Sequence, residues 1–256
     1  MDKNIKVIGI IPARYASTRF PGKPLALLNN QPMIQWVYEA CSGVFDHLTV
    51  ATDDERIFGA VEAFGGNVVM TSREHPTGTD RCLEVLKHVE NEMGLKPGIV
   101  VNIQGDEPLI RKEQIEELLS CFEEDKTVIA TLVQPFGKDE DPAGPDTVKV
   151  VVDTKHRALY FSRSIIPYIR NRNCDTPYPY LKHVGMYGYR AGVLKQICTL
   201  PPSPLEQFES LEQLRWMENG FAIRVKLTEY SNQGVDTPED LEKLQNYLDD
   251  PRQESR

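Results

Sequence analysis

The chain reads as an α/β protein with a mostly parallel sheet, helices on both faces, and an inserted β-rich segment. Three observations predict this. Short apolar runs alternate with amphipathic stretches through the first half, the βαβα order of a parallel sheet covered by helices. Two of those runs, Val7 to Pro12 and Ile99 to Val101, are apolar throughout, as in strands buried on both faces. The second half changes character: strand candidates follow one another without regular helices between them, separated by segments rich in Pro, Asp and Asn.

In order, the pattern predicts strands over residues 6–11, 47–51, 67–70 and 99–104. Helices are predicted over 33–41, 54–64, 79–92 and 112–123, with Gly65-Gly66 as a stop after the second. Strand candidates then fall at 127–133, 148–153, 158–162 and 183–189, with loops at 134–146 and 171–180, so the inserted segment spans about residues 134–185. Helices return over 203–219 and 238–248. The first opens with Ser203 and Glu206 in capping-box spacing and Pro204 at the first helical position; the second follows the natural cap Thr237. The expectation is a single domain over residues 1–250, with a frayed polar tail at 251–256.

Composition excludes several classes. With 256 residues, 40% hydrophobic and 26% charged, the chain has the make-up of a soluble globular protein. A net charge of −9 argues against a nucleic-acid partner, whose footprint is basic. No apolar run approaches the roughly 20 residues of a membrane span, and the N-terminus lacks the pattern of a signal peptide. The five cysteines are odd in number, scattered, and form no C-x-x-C pair, so they read as reduced thiols of a cytoplasmic protein rather than disulfides or a zinc site.

Against that acidic background, residues 14–24, RYASTRFPGKP, place Arg14, Arg19 and Lys23 in one short loop after the first strand. Ligands of open α/β sheets bind beyond the carboxyl ends of strands, and guanidinium forks and ammonium charges both pair with phosphate oxygens, so the loop reads as a polyphosphate clamp. It is not a P-loop: Ser17 stands where that motif has its first Gly, and Pro24 follows Lys23. Nor is there a G-x-G-x-x-G. At the end of the fourth strand, NIQGDEP brings Asp106 to the same sheet edge, where a carboxylate beside a triphosphate commonly holds Mg²⁺. The alternative is that Asp106 and Glu107 cap a turn before the next helix, and Gln104 can read a base edge. Asp236 offers a second carboxylate if the chain returns to that edge. Thr77-Gly78-Thr79-Asp80-Arg81 suits an anion or ribose at a helix N-terminus, but taken alone is an ordinary helix start. A lone His183 reads as structural before catalytic, and Glu212 and Gln213 are ambiguous on a helix whose leucines and Trp216 read as core.

Together these segments resemble one family, 3-deoxy-manno-octulosonate cytidylyltransferase. The matching stretches are IIPARYASTRFPGKPL, VATDDERI, PTGTDR, VNIQGDEP, ALYFSRSIIP, KHVGMYGYR, SLEQLRW and GVDTPEDLE, which run from residue 10 to residue 242. Thr77 stands where Ser is common in that family. The resemblance implies a three-layer, Rossmann-like mixed-sheet fold of the nucleotide-diphospho-sugar-transferase kind and a homodimer joined largely through the inserted segment. It also implies CTP and the acid sugar 3-deoxy-D-manno-octulosonate (KDO) as substrates, Mg²⁺ as cofactor, and a product used in lipopolysaccharide synthesis. By position, Arg14, Arg19 and Lys23 would bind the triphosphate, with Arg14, Lys23 and Asp106 catalytic. Asp106 and Asp236 would hold the metal. Thr77, Gly78, Thr79, Arg81 and Gln104 would hold the nucleotide, and Arg163, His183, Tyr187, Glu212 and Gln213 the sugar. Rival readings are activation of an 8-amino KDO analogue or a sialic acid, and a non-catalytic nucleotide sensor.

Overall fold

The computed structural model describes residues 5–137, 140–171, 179–230 and 234–249. Cys174, most of the expected loop at 171–180 and the expected tail lie outside them. The chain forms two compact units, one of Lys6–Ile115 with Asn232–Arg256, the other of Glu116–Ser231 with Met1–Ile5.

The first unit begins with β1 (Val7–Ala13), whose residues are buried almost without a break. A loop and a single 3-10 turn at Lys23–Leu25 lead to β2 (Leu27–Leu28) and β3 (Gln31–Pro32), a small hairpin turned by Asn29 and Asn30 at φ 48° and 63°. Asn tolerates that left-handed backbone, and the sequence pattern did not predict the hairpin. There follow α1 (Met33–Cys41), β4 (His47–Thr52), α2 (Glu55–Ala63), β5 (Val68–Met70), α3 (Gly78–Glu92) and β6 (Ile99–Asn102). Asp54 caps α2 and Thr77 caps α3, each accepting from a backbone N–H of the first turn. Strands β6, β1, β4 and β5 pair in that order, all parallel. The expected strand at 99–104 ends at Asn102, so Gln104 and Asp106 stand in the loop beyond the strand.

Gly9 sits between β4 and β6, opposite Leu48 and Val101. A Cβ there would lie 2.6 Å from two ring carbons of Phe45 and 2.9 Å from a Leu48 methyl. Gly9→Ala is therefore expected to destabilise the protein by about 1–3 kcal/mol through overpacking, read as a lower Tm in thermal melts; an unchanged Tm would contradict this packing.

Helix α4 (Lys112–Ser120) leads into the second unit. Its strands are β7 (Ile129–Pro135), β8 (Lys149–Val152), β9 (Ala158–Ser162) and β10 (Leu181–Arg190). β10 runs antiparallel to both β7 and β8, and β8 to β9. Then come α5 (Ala191–Ile197), α6 (Pro204–Glu209), α7 (Glu212–Glu218) and β11 (Ile223–Leu227), the last parallel to β7, which makes the sheet of this unit mixed. Lys149 is fully buried, and its ammonium donates to the carbonyls of Gly144, Thr147 and Arg163 at 2.7, 2.7 and 2.5 Å, which ties the start of β8 to the end of β9.

Three expectations are corrected here. The single helix expected over 203–219 is two, because Ser210 adopts φ 51° and ends α6 before an extended Leu211 starts α7. The capping box of Ser203 and Glu206 is present. α5 was not anticipated; its N-cap, Arg190, makes no side-chain capping bond, so it carries no start signal. β11 was missed although IRVKL alternates buried and less buried residues in the period of a strand.

The chain re-enters the first unit with α8 (Pro238–Leu248), opened by a capping box of Thr237 and Asp240. Val235 and Leu244 are fully buried with Leu28 and Met33, and Phe20, Trp36 and Leu109 pack on that cluster.

Candidate active site

The loop after β1 folds on itself: the Tyr15 carbonyl accepts from the N–H groups of Ser17 and Gly22, both at 2.9 Å. Gly22, at φ 74°, then delivers Lys23 as the first residue of the 3-10 turn. Beyond β6, the Asp106 carbonyl accepts from Val235 N–H at 2.9 Å. The buried Val235 thus brings the neighbouring Asp236 back to the edge of the sheet.

The result is one cavity of about 420 Å³. Arg14, Arg19, Lys23, Thr77, Gly78, Arg81, Gln104, Asp106 and Asp236 all line it. Nine of the ten residues assigned from sequence to nucleotide or metal therefore meet in space; Thr79, buried within the first turn of α3, is not part of the wall. The Lys23 ammonium lies 2.5 Å from Asp106 Oδ2 and 3.4 Å from Asp236 Oδ1, and Arg19 reaches Asp236 Oδ1 at 2.9 Å. Lys23 is largely buried while both carboxylates stay partly open to water.

Two carboxylates sharing one cation have the donor chemistry of a Mg²⁺ site, which takes one or two carboxylates and completes its shell with phosphate oxygens and water. Among the described residues no group of three or more His, Cys, Asp or Glu is placed to hold a metal alone. A divalent ion here would draw its remaining ligands from a bound triphosphate. Glu107 lies in the turn that joins Gln104 to Ile110 and is not in the cavity wall, which favours the turn-capping reading.

Arg81 reaches the wall from inside the fold. Its guanidinium is almost fully buried, donating to Asp53 Oδ2 at 2.9 Å and to the Thr71 hydroxyl. That network holds the first turn of α3 against the loop after β4. Thr77 caps α3 and donates to Asp80 Oδ2 at 2.7 Å, the features of an ordinary helix start. Sequence reasoning missed His75, which lines the cavity and pairs with Glu84; the Pro-Thr-Gly-Thr run beside it was the available signal.

The five residues assigned to the sugar all belong to the second unit. Arg163 spends its guanidinium on backbone carbonyls: Glu209 at 2.8 Å, Pro145 at 3.1 Å and Ser210 at 3.4 Å. His183, Tyr187 and Trp216 pack together, with ring centroids 5.0 Å apart for His183–Tyr187 and 5.1 Å for Tyr187–Trp216. The register of β10 against β7 shifts between Val184 and Tyr187, and Thr131 Oγ1 lies 2.9 Å from His183 Nε2. The Tyr187 hydroxyl is buried without a hydrogen-bond partner among the described residues, and burial, with Glu212 nearby, pushes it well above its usual pKa. Glu212 accepts from Arg215 at 2.7 Å, and Gln213 is buried on the same helix.

Burial pushes His183 down to about 3, so it is neutral at physiological pH. Between that value and 6.5 the unfolded chain binds a proton that the folded protein does not. Stability is therefore expected to fall as pH drops through this window. In pH-dependent unfolding, His183→Gln should flatten the slope between about pH 6.5 and 4; an unaltered slope would refute a neutral imidazole.

A parallel α/β unit whose sheet edge carries a cationic loop facing two carboxylates belongs to the class of phosphate-handling α/β proteins. The sequence profile of the cytidylyltransferase family matches residues 8–227. The 3-deoxy-manno-octulosonate cytidylyltransferases of Parabacteroides distasonis and Phocaeicola vulgatus are each 55% identical to this chain, over 95% of it and 98% of their own length. A solved structure of CMP:2-keto-3-deoxy-manno-octonic acid synthetase complexed with CTP matches with a TM-score of 0.87 at 46% identity, covering 97% of this chain and 99% of that one. A cytidylyltransferase from Leptospira borgpetersenii, 16% identical with a TM-score of 0.62 over 94% of this chain and 86% of its own, shares the fold. The chain belongs to the cytidylyltransferase family, and within it to the 3-deoxy-manno-octulosonate cytidylyltransferases.

Proposed function

We propose that this protein transfers CMP from CTP to the anomeric hydroxyl of KDO, releasing pyrophosphate. The observation that carries the reading is the meeting of Arg14, Arg19 and Lys23 with Asp106 and Asp236 on one cavity. Close relatives named for this activity support it.

The chemistry is a displacement at phosphorus. The anomeric hydroxyl attacks the α-phosphorus in line and gives up its proton; the bond from that phosphorus to the β-bridging oxygen breaks, and pyrophosphate leaves. Such transfers depend on positioning and charge neutralisation rather than on a covalent intermediate. Arg14 and Arg19 grip the phosphates, and Lys23 meets the charge that develops as pyrophosphate departs. Asp106 and Asp236 would hold Mg²⁺, which when bound would supply neutralisation of phosphate charge and polarisation of the phosphoryl oxygens. Gln104, Thr77 and Gly78 hold the nucleoside end, and Arg81 keeps the α3 start in place. His183, Tyr187, Glu212 and Gln213 serve the sugar, and Arg163 braces the segments around it through backbone carbonyls.

The remaining features of the reading are a homodimer, action in the cytoplasm, and supply of an activated sugar for lipopolysaccharide. No helix among the described residues is long and apolar enough to cross a membrane. The homodimer is supported by apolar residues left open in the second unit: Leu159 is 59%, Tyr168 79% and Phe208 89% exposed.

The test is pyrophosphate release from CTP with Mg²⁺, comparing KDO, its 8-amino analogue and N-acetylneuraminate. Release with KDO at least ten-fold above the others is expected, since a built polar site rejects analogues strongly (on the order of 10-fold or more). Preference for another sugar would overturn the substrate, and no release from folded protein would overturn the activity.

A further inference from the structure

Tyr15 interrupts the cavity wall. Residues 12–14 and 16–19 all line the cavity, and Tyr15 does not. Its ring is engaged elsewhere: the Arg56 guanidinium carbon lies 3.3 Å from the ring centroid. The ring also lies against Gly22, where a Cβ would come within 3.0 Å of ring carbons Cε2 and Cζ. Since the Tyr15 carbonyl also binds Ser17 and Gly22 N–H, one residue ties the Arg14 end of the loop to the Lys23 end.

Arg56 is itself held. Asp54, the N-cap of α2, accepts from Arg56 Nε at 2.9 Å and from its terminal nitrogen at 2.7 Å, and also from its backbone N–H at 3.0 Å. This two-pronged pairing orients the guanidinium plane that meets the ring. Arg56 is not in the cavity wall, so its charge is directed at Asp54 and the ring and not at the cavity. Tyr15 and Arg56 thus meet outside the cavity wall, with the Arg56 side chain more than half exposed.

We infer that the Asp54–Arg56–Tyr15 stack is a positioning device for the phosphate-binding loop. It sets where Arg14 and Lys23 present their charges, and Arg56 acts through Tyr15 without touching the nucleotide. The physical gain is pre-organisation: a loop already ordered in the free protein loses less freedom when the triphosphate arrives. The inference rests on the cytidylyltransferase reading for what the loop binds.

The experiment is a double-mutant cycle read by CTP calorimetry in the absence of sugar, with steady-state kinetics and Tm measured alongside. Arg56→Ala is expected to weaken CTP binding about three- to five-fold, the scale of one cation–π contact. The KM for CTP should rise with it, while the KM for KDO and the Tm stay put. Tyr15→Phe keeps the ring and should bind CTP normally, whereas Tyr15→Leu should weaken binding. Adding Arg56→Ala to Tyr15→Leu should cost nothing more, because Arg56 then has no ring to hold. Arg56→Lys should recover part of the loss. Additive losses in the double variant would overturn the inference, as would normal CTP binding by Arg56→Ala or a parallel fall of Tm and every kinetic constant. If the wild-type protein binds CTP but releases no pyrophosphate, the activity reading alone fails and the calorimetric cycle still decides the stack.

Discussion

Lys23→Ala is expected to lower turnover at least about 100-fold while the protein stays folded, the scale seen when one pre-organised donor to developing charge is removed. Lys23 stands at the centre of the charged cluster, 2.5 Å from Asp106 and 3.4 Å from Asp236. Both carboxylates remain partly solvated, so leaving them without the ammonium costs little stability. A second readout separates chemistry from folding. If Mg²⁺ binds these two carboxylates as proposed, the ammonium would compete with it when no nucleotide is present, so the variant should bind Mg²⁺ more tightly than the wild type in a metal titration. A variant with near-normal turnover, or with weakened Mg²⁺ binding, would remove Lys23 from the role given to it.

Asp106→Asn is expected to act on the other partner of the same contact. It preserves shape and removes one negative charge, so the half-saturating Mg²⁺ concentration should rise and kcat should fall, again by at least about 100-fold. CTP binding without metal should hold or tighten, because a negative charge beside the phosphates is gone. Kinetics across a Mg²⁺ series and calorimetry without metal test both halves. Normal Mg²⁺ dependence would place the metal elsewhere. Asp236→Asn should move in the same direction, since Asp236 shares the ammonium and also anchors Arg19.

Much of this was legible in the chain because the signals are local. The parallel core follows from apolar runs such as Ile99 to Val101 and from caps such as Thr77 and Thr237, each set by residues within a turn or two. The cationic loop is likewise contiguous, so its chemistry could be read before its shape was known. What failed was also local but weak. α5 has no side-chain cap, and the break at Ser210 depends on a left-handed backbone that a Ser does not announce. The hairpin at Asn29-Asn30 was short enough to pass as loop.

The sequence by itself determined the class of the fold, the family, and which residue types stand ready for phosphate and metal. Only the tertiary structure decided which of them meet. Asp236 lies 213 residues from Lys23 along the chain and joins it because buried Val235 hydrogen-bonds the Asp106 carbonyl. Arg81 and Arg163 look alike in sequence to Arg14, yet the fold commits the first to Asp53 and the second to backbone carbonyls, leaving Arg14 exposed on the cavity. The reason is physical: hydrogen bonds and apolar burial between distant segments choose each cation's partner, and periodicity and spacing report only near neighbours.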